Sequence, residues 1–157
     1  MYEYGADKVS LGDTAIDNPQ LITSAAKTYG DQGVVVTLSA GRLNGKYMVY
    51  KEDGTPLAGV NVGDWAAQLE ALGAGELIVR CLDNGPNTEL FELIEKQVNL
   101  PVLAACKDLS RADYLDTLAL VDGIVLSHDF WKHNVTIPTL KNYFGQNGLR
   151  MRIEKGA

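Results

Sequence analysis

The sequence predicts an α/β protein built around a parallel sheet, and three observations carry that prediction. Short β-branched runs alternate in regular order with segments of helical apolar periodicity, which is the signature of βα units. The runs, such as Val34-Val35-Val36-Thr37-Leu38, are continuously apolar, as strands covered on both faces are. A chain of 157 residues, 46% hydrophobic and 22% charged, suits one globular domain over residues 1–157 with a core of its own.

Five strands are expected, at residues 8–11, 34–38, 76–82, 101–105 and 123–126. The first helix starts at Asn18-Pro19, places Leu21, Ile22, Ala25, Ala26 and Tyr29 on one face, and stops at Gly30. A second begins near Asp64, buries Trp65, Leu69 and Leu72, and ends at Gly73. A third follows Asn87 and presents Leu90, Leu93 and Ile94. Ser110 and Asp113 form an approximate capping box for a fourth, which presents Leu115, Leu118 and Ala119. The last runs from about Thr136 with Leu140, Tyr143 and Phe144 inward. Between the second strand and the second helix, Lys46-Tyr47-Met48-Val49-Tyr50 and Glu52-Asp53-Gly54 read as a β-hairpin arm turning at Asp53-Gly54.

Five βα units do not close a barrel of eight, and they leave two sheet edges that something must cover. The architecture is therefore either a partial (β/α)8 TIM barrel, half-barrel-like, or an open flavodoxin-like sheet. No apolar run is long enough to span a bilayer. The start, Met1-Tyr2-Glu3-Tyr4, has neither a basic nor an apolar signal region, so a cytoplasmic location is expected. Net charge is −6 and the basic residues are scattered, which argues against a nucleic-acid partner. Cys81 and Cys106 lack the near neighbours of a metal knuckle or redox motif, and read as buried free thiols in a reducing compartment. Neither metal-ligand spacing nor a nucleotide-binding glycine pattern is present, so no cofactor is expected.

Several ordered blocks then carry a resemblance: Gly5-Ala6-Asp7-Lys8-Val9-Ser10, Asn18-Pro19-Gln20-Leu21-Ile22, Val34-Val35-Val36, Gly45-Lys46-Tyr47-Met48-Val49-Tyr50, Asp64-Trp65, Gly73-Ala74-Gly75-Glu76-Leu77, and the tail from Leu140-Lys141-Asn142-Tyr143-Phe144 to Gly148 and Arg152. Over nearly its whole length the chain resembles the cyclase subunit of imidazole glycerol phosphate synthase, a barrel family of histidine biosynthesis, beginning near that family's fourth strand. The family closes an imidazole ring with ammonia from a glutaminase partner, releasing imidazole glycerol phosphate and an aminoimidazole carboxamide ribotide. Two aspartates at strand ends in opposite halves of its barrel serve as general acid and base.

The resemblance implies a degenerate site. Nothing here corresponds to the strand of the first aspartate; the second should follow Leu38, where the chain has Ser39, and a serine hydroxyl is no carboxylate base. Gly41 replaces a family lysine, and the run Asp83-Asn84-Gly85-Pro86-Asn87 keeps one aspartate but puts Gly85 where its functional neighbour stands. The phosphate-gripping turns, which need glycine for close backbone approach, read Ala105-Cys106-Lys107 and Ser127-His128, and Gly12 replaces an asparagine. At the opposite end Asp7 and Lys8 match glutaminase-docking residues and Glu76 an ammonia-gate acid, though charged residues at strand starts are often solvated caps. A new nucleophilic site from Cys106 and His128, near Lys107, Asp83 and Asp129, competes with the commoner buried, unreactive cysteine. His133, beside Trp131 and Lys132, reads as a surface residue.

The expected function is thus a cyclase-like, catalytically degenerate protein acting through association with itself, with a missing amino-terminal half, or with a glutaminase subunit. The competing readings are an active piece of the cyclase and a repurposed enzyme. Exposed sheet edges and interior favour a homodimer or a complementary half-barrel.

Overall fold

The computed structural model describes residues 5–107, 109–126 and 136–151. The chain runs β1 Val9–Leu11, α1 Asp13–Asp17, α2 Gln20–Tyr29, a 3-10 turn Asp31–Gly33, β2 Val34–Leu43, β3 Lys46–Tyr50, β4 Pro56–Asn61 and α3 Val62–Ala71. It continues through β5 Glu76–Cys81, α4 Thr88–Glu95, β6 Val102–Ala105, α5 Arg111–Leu118, β7 Gly123–Ile124 and α6 Ile137–Gln146. All seven described strands lie in one sheet, ordered β4-β3-β2-β5-β6-β7 with β1 also on β2. Five of them, β1, β2, β5, β6 and β7, are mutually parallel, as the βα alternation predicts.

The arm is larger than the sequence reading had it. β2 does not end at Leu38 but runs on to Leu43 and folds back into β3 through Asn44 and Gly45, both at positive φ. Asn-Gly suits this turn because both central residues tolerate that conformation. The turn that was expected, at Asp53-Gly54, joins β3 to β4; there the Thr55 N–H donates to Asp53 Oδ1 at 2.8 Å, which holds the Asp53 carboxyl below its ordinary pKa. β1 and β3 share one edge of β2, β1 on Val34–Val36 and β3 on Ser39–Leu43, while β5 takes the other edge.

The sheet has two unlike faces. On the outer face Val34, Val36, Leu38, Ala40, Leu77, Val79, Cys81, Val102, Ala104 and Cys106 are buried, packed in one core with Ile22, Ala26, Trp65, Ala66, Leu69, Leu90, Phe91 and Ile94 of the helices. On the inner face Val35, Ser39 and Gly41 are buried; Thr37, Glu76, Ile78, Arg80, Leu103 and Ala105 are half-exposed, and Ser10 and Val125 are exposed. The expectation of strands covered on both faces is therefore corrected: β5 alternates between half-exposed and buried residues along its whole length. Helices lie on one face of the described sheet, the arrangement of a partial (β/α)8 barrel; a flavodoxin-like sheet would carry them on both.

Local signals set the helix ends. Asn61 caps α3 by accepting the Asp64 N–H, and the helix closes in a Schellman motif, with Gly73 N–H to Glu70 O and Ala74 N–H to Leu69 O, where Gly73 supplies φ +102°. Ser110 and Asp113 form a full capping box on α5. Two packing expectations are corrected, since Tyr29 is 47% exposed and Ala119 is exposed; the residue α5 buries fully is Thr117, its hydroxyl donating to Asp113 O at 2.8 Å. α5 and α6 share a smaller apolar cluster centred on Leu140 and Phe144, the latter edge-on to Tyr114.

Candidate functional site

The carboxyl ends of the parallel strands are the face where such folds do chemistry. Here they hold Ser39 on β2 and, directly across the ladder, Arg80 on β5, both on the inner face. Arg80 reaches toward the arm, its Nη1 3.9 Å from Glu52 Oε1. The loop carrying Glu52 is tied down on α1: the Glu52 N–H donates to Asp13 Oδ2 at 3.0 Å, and Lys51 Nζ pairs with Asp17 Oδ1 at 2.7 Å. That pairing, first through the hydrogen bond and then through the charge of Asp17, raises the Lys51 pKa. A Cβ added at Gly12 would stand 3.0 Å from Glu52 Oε1, so the carboxylate occupies the space beside this glycine. Glu52 and Arg80 are the polar groups at the strand ends that sequence reasoning missed; period-two alternation places Arg80 inward, but nothing in the sequence folds the arm over it.

Several of the sequence-predicted positions are engaged in loop and packing contacts. Asp83 is held as a loop anchor, its Oδ2 accepting the Arg42 N–H at 2.8 Å. The loop beyond it is closed by Asn87, at φ +50°, whose side chain donates to Asp83 O and Gly85 O at 3.1 and 2.8 Å, with Gly85 at φ +90°. Arg42 lies over the Tyr47 ring, 4.8 Å from its centroid, and pairs with Glu89. Tyr47 first and Glu89 second raise the pKa of this exposed guanidinium. At Gly41 a Cβ would stand 3.2 Å from Leu82 Cβ and 3.3 Å from Tyr50 Cε2, so a lysine there would have to displace both neighbours.

Cys81 and Cys106 are corrected from free thiols to a disulfide between the adjacent ends of β5 and β6, with Cα atoms 4.8 Å apart. Both belong to the helix-side core, so Cys106 faces away from the inner face, and the proposed pairing of a Cys106 nucleophile with His128 loses its thiol. Lys107 is exposed. Ser127, His128, Asp129, Trp131, Lys132, His133 and Arg152 lie outside the described residues. At the amino ends of the strands Lys8 Nζ and Glu76 Oε2 are 2.6 Å apart, and Asp7 is exposed beside them.

A family model described as "histidine biosynthesis protein" matches residues 1–136. The chain belongs to that histidine biosynthesis family. Curated relatives carry the name imidazole glycerol phosphate synthase subunit HisF. The chain is 33% identical to one from Sulfolobus acidocaldarius over 154 residues, which are 95% of this chain and 62% of the relative. To one from a Thermotoga species it is 33% identical over 156 residues, 96% of this chain and 62% of the relative. To one from Dehalococcoides mccartyi it is 35% identical over 157 residues, with 96% and 62% covered. This member of the family thus spans about three-fifths of the length of the relatives it matches, and its described residues hold five parallel strands, against eight in a closed barrel.

Proposed function

We propose that the chain is a cyclase-like member of its family that has lost catalysis and works through association, whether with a complementary part of a barrel, a second copy or a glutaminase subunit. One observation carries the loss. At the strand ends, where the family's resemblance calls for a carboxylate, Ser39 stands against Arg80, and Glu52 from the arm faces that guanidinium. Glu52 is the ion-pair partner of Arg80, whereas the family's chemistry calls for carboxylates poised on either side of the substrate. Asp83, the remaining aspartate of the motif, is occupied in accepting the Arg42 N–H.

The two glycines differ. A Cβ at Gly41 would press on Leu82 and Tyr50, whereas at Gly12 it would meet only the movable end of Glu52. A reversion at Gly41 therefore has to displace its neighbours. The association half of the reading is supported by the uncovered inner face, and the Lys8–Glu76 pair with exposed Asp7 offers charged groups at the end of the barrel where the resemblance puts glutaminase docking.

The test is a ring-closure assay with supplied ammonia and the family's substrate. No turnover is expected from the unmodified chain, and Ser39→Asp alone should not restore it, because Arg80 across the ladder would pair with the new carboxylate. Measurable turnover in the unmodified chain would overturn the reading in favour of an active piece of the cyclase.

A further inference from the structure

Strand register sets four inward residues abreast at the carboxyl ends of the strands: Tyr50 on β3, Ser39 on β2, Arg80 on β5 and Ala105 on β6. Residues directly across a ladder share a face, so the row runs from an aromatic ring through a hydroxyl to a guanidinium and a methyl group. Arg80 carries its only charge. Two of these groups have capacity to spare. Ser39 is only 5% exposed, yet its hydroxyl makes no hydrogen bond among the described residues. Among those residues no fully enclosed side-chain oxygen lacks a partner, so Ser39 Oγ retains an opening on the inner face. Arg80 meets Glu52 at 3.9 Å, a long approach for an ion pair, and the Glu52 side chain is 61% exposed. Exposed pairs of this kind contribute little, which leaves the guanidinium able to offer two parallel hydrogen bonds to another anion.

The direction of the Arg80 side chain brings these groups together. β5 lies on one edge of β2; β1, with Gly12 just beyond it, and β3, with Glu52 just beyond it, lie on the other. Glu52 Oε1 is beside Gly12, 3.0 Å from where a Cβ would stand. To approach that carboxylate from β5, the Arg80 side chain crosses β2 at the position of Ser39. The guanidinium, the hydroxyl and the Glu52 carboxylate thus converge on one spot, and the carboxylate comes from the arm.

We infer that this spot binds the carboxylate of a small organic acid, with Arg80 as its cationic partner, the Ser39 hydroxyl as a second donor, and Glu52 as the internal occupant that the ligand displaces. A carboxylate fits better than a dianionic phosphate, because a single guanidinium has to offset the ligand in the company of Glu52 and of Asp13, which accepts the Glu52 N–H at 3.0 Å. The Tyr50 ring, whose Cε2 is 3.3 Å from a Cβ position at Gly41, flanks Ser39 and favours an acid that carries a flat ring. Binding of this kind needs no proton transfer, so it is compatible with strand ends that have lost a catalytic carboxylate.

The probe is benzoate, titrated into the full chain and followed by nuclear magnetic resonance, with acetate and inorganic phosphate in parallel. Saturable binding of benzoate is expected, with acetate and phosphate weaker. Arg80→Gln should lower the benzoate affinity by about tenfold or more, as loss of a charge-assisted pair does, and Ser39→Ala by about threefold. Glu52→Gln should raise it by about two- to fivefold, the worth of an exposed ion pair that no longer competes. That gain is a result no unfolded variant can give, and unchanged circular dichroism of Arg80→Gln separates loss of binding from loss of folding. Benzoate that does not saturate, affinity unaffected by Arg80→Gln, affinity lowered by Glu52→Gln, or phosphate bound more tightly than benzoate would each overturn the assignment. Acetate bound as tightly as benzoate would overturn the part given to Tyr50.

Discussion

Cys81 and Cys106 show what a residue can and cannot announce. Each is visible in the sequence as a buried position near a strand end, yet their pairing depends on β5 and β6 lying side by side in a register that sets Arg80 against Ala105 and hence one cysteine beside the other. Spacing along the chain, 25 residues, carries no trace of this. Alkylation of the unreduced, denatured protein should add no label, and reduction should then admit two; two labels without reduction would restore the free-thiol reading. Arg80 is a similar case. Its inward direction follows from the period of a strand, but its confrontation with Glu52 requires the arm to be folded onto α1 by Asp13 and Asp17, an arrangement of residues some forty positions apart that no local pattern encodes. For Ser39 it is the resemblance, and no local pattern, that supplies the expectation of a carboxylate at this position.

At the scale of elements, legibility follows the chemistry of ends and turns. The capping box of α5 and the glycine stops of α2 and α3 were readable because particular residue types satisfy particular backbone groups. Burial by periodicity failed where a helix has neighbours on one side only, as at Tyr29 and Ala119, both exposed. One resemblance block now has a physical reason: in Gly73-Ala74-Gly75, the first glycine takes the left-handed position of the Schellman motif, and a Cβ on the second would come within 2.1 Å of Asp31 O. Gly75→Ala must push β5 away from the 3-10 turn before β2, and should destabilise the fold by about 1–3 kcal/mol, as overpacking of a tight contact does. Urea denaturation measures it; an unchanged midpoint would mean that the turn and the strand are not held in contact.

For the whole molecule, the informative asymmetry is between a face with residues such as Val34, Leu77, Val79 and Ala104 sealed from solvent and a face with Thr37, Ile78, Leu103 and Val125 left open. The parallel sheet and its five units were written in the alternation of the sequence. The open face was not, because an apolar run reads alike whether its second side meets a helix of the same chain or a partner. It is the uncovered side that turns a fold into an expectation of association, since parallel sheets are stable when both faces are covered. The central claim, that this face is an interface, is tested most directly by sedimentation velocity of the isolated chain at micromolar concentration. The account predicts self-association or capture of a partner in place of a stable single species of 17.0 kDa. A clean, soluble monomer across the concentration range would contradict it, and would mean that the inner face is satisfied within the chain itself.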